Sequence, residues 1–128
     1  MVTRSAADGA GLEMLVFRHP LAGMQLVKGT VEAGESPSDA ALRELHEEAG
    51  VAGVVSAALG HSAEIAEGEV WWFYHCRTGV LPERWVHHTQ DGGGLDFAFS
   101  WRPITQPATA DWHPVFVRAL AYAVAVLG

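Results

Sequence analysis

A chain of 128 residues that is 49% hydrophobic and 18% charged is long enough for one packed domain and too apolar for a disordered one. Its formal charge of −7, from 15 acids against 8 Lys and Arg, argues against a duplex nucleic-acid partner, which wants a basic face. The single cysteine, Cys76, rules out an internal disulfide, no charged-then-apolar segment opens the chain, and no apolar run approaches the ~18 residues of a membrane span. The expectation is one cytoplasmic domain over residues 1–128 with no membrane association.

Residues 2–6 read as a short strand, followed by a turn at Asp8, Gly9, Ala10 and Gly11. No Gly-Lys-Ser/Thr follows these glycines, so a hairpin turn is expected there and not a phosphate loop. Residues 12–17 read as a second strand, ended by Arg18-His19-Pro20, and 24–27 as a third. Ser36 then opens a helix. It is a good N-cap, Pro37 takes the first helical position, Asp39 completes a box-like Ser-x-x-Asp, and Gly50 is placed for the left-handed C′ position. Ala41, Leu42, Leu45 and Ala49 share a core-facing side, roughly 100° away from Glu44, Glu47 and Glu48. Those three acids stand at i, i+3 and i+4, where like charges cost roughly 0.2–0.5 kcal/mol per pair. They also crowd the last turns, where the helix dipole is negative. Two broken electrostatic rules at one spot call for a compensating cation.

Residues 51–59 read as a strand and 64–69 as a polar connection. Residues 70–76 (VWWFYHC) are apolar or aromatic on both faces, which predicts a central strand in a sheet covered by helices, with Trp71 and Trp72 in the core and Cys76 a buried apolar residue. Residues 84–88 and 95–101 flank Asp91-Gly92-Gly93-Gly94 as strand, turn and strand. After a Pro/Thr-rich connection over 103–110, Asp111 or His113 caps a final helix over 114–127. That helix, rich in Val, Ala and Leu, can cover the sheet and offers spare apolar surface to a homodimer. The order of elements predicts an α/β sandwich.

Laid out by spacing, the central stretch runs Gly29, five residues, Glu35, seven residues, Arg43-Glu44-Leu45, one residue, Glu47-Glu48, one residue, Gly50-Val51. This pattern resembles the Nudix box, with every fixed position of residues 29–51 filled. The resemblance implies the family's α/β/α sandwich, with a mixed central sheet between the box helix and a C-terminal helix. It implies hydrolysis of a nucleoside diphosphate linked to another group, by water attack on a phosphorus. It implies a metal set of Glu44, Glu47, Glu48 and the backbone carbonyl of Lys28, holding Mg²⁺ with Mn²⁺ as a substitute. Glu47 or Glu44 would assist the water, and Glu35 with Arg43 would tie the loop to the helix. Elementary chemistry agrees, because hard divalent cations take carboxylate, phosphate and water oxygens.

Outside the box the residues leave alternatives. The Lys28 side chain is either a phosphate contact or a solvated lysine. A further acid would come from Asp91 or Asp96, with Glu64, Glu67 and Glu69 behind them. His87 and His88 either touch a phosphate or are plain exposed histidines. The implied partner is a small nucleotide-type molecule, whose base, linked group and cleaved bond the box does not encode. Two other readings stand beside the hydrolase: a non-catalytic nucleotide-binding or regulatory module on the same fold, and a structural domain with a chance motif.

Overall fold

The computed structural model describes residues 1–9, 11–28, 30–90 and 93–127. Its elements in chain order are β1 (Thr3–Ser5), β2 (Leu12–His19), β3 (Gly23–Gln25), α1 (Pro37–Ala49), β4 (Gly53–Ser62), β5 (Trp71–Thr78), β6 (Trp85–Thr89), β7 (Leu95–Pro103) and α2 (Pro114–Leu127). The larger sheet has the order β1-β2-β7-β6, with β3 also paired to β2. β4 and β5 form a separate two-stranded ribbon. Among the described residues every ladder is antiparallel, so the sheet is antiparallel and not mixed as expected, and parallel pairing is confined to the isolated bridges Val2–Cys76 and Met24–Trp112. The first bridge joins ribbon to sheet: Cys76 N donates to the Met1 carbonyl (2.8 Å) and Leu15 N to the Val2 carbonyl (2.9 Å).

β2 divides the interior by its two-residue period. Met14 and Val16 point into a core shared with Ile104, Trp112, Phe116, Leu120 and Ala123 beside α2. Leu15 and Phe17 point the other way, into a core shared with Leu45, Ala49, Phe97 and Phe99 beside α1. Each sheet face is thus covered by one helix, which is the α/β/α sandwich expected.

Two further expectations need correction, and one alternative is resolved. β5 is not a central strand, because among the described residues its ladder runs to β4 alone. Trp71 and Phe73 face the core, whereas Trp72 is 48% exposed on the outer side and packs tilted against His61, ring centroids 4.5 Å apart. An apolar outer face made the strand look doubly buried. β4 starts and ends later than read, and register shifts between Val55 and Ala57 and between Ala58 and His61 break its pairing with β5. His113, not Asp111, caps α2: Val115 N donates to His113 Nδ1 (3.2 Å), while Asp111 is held by Arg18 (2.6 Å). Of the two turns read from sequence, Ala10, Asp91 and Gly92 lie outside the described residues. Around them, Ala6 N donates to Gly11 O (2.8 Å), and β6 meets β7 at the pair Thr89–Leu95. Among the described residues no helix is long and apolar enough to cross a membrane.

Candidate metal and nucleotide site

α1 forms where its signals place it. Ser36 is extended (φ −76°, ψ 153°) and accepts the Asp39 N–H at 3.2 Å, and Gly50 takes the left-handed conformation (φ 71°) with its N–H on the His46 carbonyl. The buried side of the helix carries Ala40, Leu45 and Ala49, and with them Glu44 and Glu48, only 9% and 7% exposed. Two of the three acids are therefore turned inward, and Glu47 alone is exposed. The β6 side chains close the end of the helix. Trp85 Nε1 donates to the Ala49 carbonyl (3.0 Å), and His87 Nε2 lies 3.1 Å from the Glu47 carbonyl. These are carbonyls that a helix leaves without an internal partner.

Arg43 organises the acids. Its Nε and one Nη2 proton grip both oxygens of Glu35 (2.8 and 3.0 Å), its Nη1 protons reach Glu44 (2.6 Å) and Glu47 (3.0 Å), and its last Nη2 proton goes to the Thr30 carbonyl (2.8 Å). Glu35 also accepts the Glu32 N–H (3.1 Å), so the loop before α1 is pinned to its middle. The Arg43 hydrogen bonds hold the Glu35 carboxyl below the ordinary carboxylate range, and Arg43 is held firmly charged. Burial pushes Glu44 the other way, above its ordinary value, against the pull of Arg43.

One guanidinium thus faces Glu35, Glu44 and Glu47, with Glu48 buried beside them, and the donor set keeps an excess of negative oxygen. That chemistry suits a hard divalent cation. Among the described residues no three His, Cys, Asp or Glu side chains are already grouped as a metal site, and Glu47 is turned onto Arg43. Lys28 and Thr30 flank Gly29, which lies outside the described residues.

Beside Glu44 opens a cavity of about 370 Å³, between α1, the 26–31 segment, β5 and the start of α2. Its walls are largely apolar, with Leu15, Leu26, Ala40, Phe73 and Phe116 among them. Lys28 lines it, its ammonium 4.7 Å over the Trp71 ring and 4.0 Å from Glu69. Glu69, which stood behind the two aspartates as a candidate acid, lines it too. Asp96 does not: it pairs with His88 at 2.7 Å, both well exposed. Asp91 lies outside the described residues, and Glu64 and Glu67 are exposed away from the cavity. His87 serves the helix end and His88 pairs with Asp96. The apolar wall escaped sequence reasoning because several separated segments build it, and only those from α1 and the loop before it lie within a motif.

The chain matches the NUDIX domain family over residues 3–120, a span that contains the box, the sheet and the first half of α2. No curated protein matches it. Members of this family hydrolyse pyrophosphate bonds in nucleoside diphosphate derivatives, small-molecule nucleotides, and generally use divalent metal ions. With the box helix capped, buried and salt-bridged as described and the match running through the domain, the chain belongs to the Nudix family.

Proposed function

We propose that this chain is an Mg²⁺-dependent hydrolase, with Mn²⁺ as a substitute, that cleaves a phosphoanhydride in a nucleoside diphosphate linked to another group. The observation that carries this reading is the burial of Glu44 and Glu48 in the last turns of α1. A buried carboxylate is costly unless it is paired or bound to a metal, and a merely solvated acidic face would not bury two. Glu44, Glu47, Glu48 and the Lys28 backbone carbonyl would hold the ion. When bound there, the ion lowers the pKa of water, orients phosphate oxygens and neutralises charge developing on them.

The side chains supply the rest. Arg43 fixes the orientation of Glu44 and Glu47 through Nη1, and Glu35 fixes Arg43. Glu47 or Glu44 takes the proton of the attacking water. The apolar cavity beside Glu44 seats the nucleoside and excludes water from it.

Glu48→Gln tests the assignment. It removes one anionic ligand at nearly constant size, so Mg²⁺-dependent turnover should fall by about 100-fold or more. Its melting temperature without metal should be unchanged or higher, since a buried charge has gone. Mg²⁺ should raise the wild-type melting temperature and leave that of the variant nearly unmoved. Full activity in Glu48→Gln would sink the metal site; tight Mg²⁺-dependent nucleotide binding without product would point to a binding module.

A further inference from the structure

Three charged side chains line the cavity among the described residues: Glu44 from α1, Lys28 from the segment before the box, and Glu69 from the turn before β5. Glu44 belongs to the metal-holding acids. Lys28 and Glu69 form a unit of their own with Trp71. One Glu69 oxygen accepts the Trp71 indole N–H at 3.1 Å, the other lies 4.0 Å from the Lys28 ammonium, and that ammonium covers the Trp71 ring at 4.7 Å. The Met1 amino group, also at this wall, is engaged with the Tyr74 carbonyl.

Half exposed, the Lys28–Glu69 pair adds little to stability. Its effect is on the field in the cavity. A phosphate brought to Lys28 meets the carboxylate of Glu69 at a similar range, and attraction and repulsion cancel. A neutral ring system meets no such opposition, and the apolar wall favours it. The volume of about 370 Å³ is at the lower end of small-molecule pockets, enough for a nucleoside and little more.

We infer that this cavity takes the uncharged nucleoside part of the substrate, and that Glu69 is the specificity residue that refuses a second phosphoryl group there by cancelling Lys28. The inference rests on the reading of α1 as the phosphate end. The substrate class is then a nucleotide derivative whose ionised phosphates form one run, held at the α1 acids, and whose sugar carries no further phosphate.

The test needs no turnover. The Trp71 indole N–H signal, assigned by through-bond NMR, is followed in metal-free protein during titration with the four ribonucleosides and, separately, with inorganic phosphate. In the wild type at least one nucleoside should shift it saturably and phosphate should not. In Glu69→Gln the amide oxygen can still accept the indole N–H while the negative charge is gone. Phosphate should then shift the signal, binding about tenfold or more tighter than to the wild type. Adding Lys28→Met to that variant should abolish the phosphate response. Equal phosphate binding in wild type and Glu69→Gln, no phosphate response in Glu69→Gln, a response that survives Lys28→Met, or silence towards every nucleoside would each overturn the inference. Absence of Mg²⁺-dependent hydrolysis with these binding results intact would refute the hydrolase reading alone.

Discussion

Arg43 spends five N–H donors inside the site, on Glu35 twice, on Glu44, on Glu47 and on the Thr30 carbonyl, and a guanidinium has five to give. Lysine offers three and no fork, so Arg43→Lys should lower stability by about 2–3 kcal/mol, read as a fall in the urea midpoint. A change within about 0.5 kcal/mol would mean the pairing is ornamental, as surface substitutions commonly are. The carboxylates around it respond to pH in opposite senses. Glu35 has its folded pKa held below the ordinary 4.5 by Arg43, so its contribution is present above that value and lost as pH falls through the folded one. Wild type should therefore lose its advantage in melting temperature over Glu35→Gln on acidification from about pH 6 to pH 3. Glu44 has its folded value raised by burial, so its contribution is present at low pH and lost as pH rises. Without metal, Glu44→Gln should gain more in melting temperature near pH 8 than near pH 4, and a larger gain in acid would contradict the burial argument.

At the scale of elements, two glycines do work that no other residue would do as well. Gly23 has φ +80°, and a Cβ there would run into the backbone carbonyl of Asp111, which accepts the Met24 N–H where β3 meets the lead-in to α2. Gly23→Ala should cost about 2 kcal/mol or more in chemical denaturation, because backbone must move. Gly50 has φ +71°, and its added Cβ would come 2.8 Å from His87 Nδ1, a side chain that can shift. Gly50→Ala should cost about 1–2 kcal/mol, the smaller of the two. The box helix was legible in advance because its ends are encoded locally, by Ser36, Pro37 and Gly50. The strand of β5 was legible too, but not its place in the fold, because Trp72 advertises burial that its outward direction denies it. The α2 cap could not be settled either, since Asp111 and His113 are equally plausible until Arg18, far away in sequence, claims the aspartate.

At the scale of the molecule, the spacing of nine positions in residues 29–51 pointed to the family, whereas the cavity proposed for recognition is a product of folding. Lys28, Glu69 and Trp71 come together only because β5 returns beside the 26–31 segment, and no pattern in the chain records that approach. The same arrangement has a mechanical side. Among the described residues ladder pairing stops between the ribbon β4–β5 and the sheet except at the Val2–Cys76 bridge, and the cavity occupies that seam, with Leu15 and Leu26 on the sheet side and Trp71 and Tyr74 on the ribbon side. A molecule wedged between them acts as a fastener. The ribbon's amides should exchange with deuterium more slowly once a nucleoside is seated, while those of β6 and β7 keep their rates. Substrate would then add packing across the seam that the isolated Val2–Cys76 bridge spans.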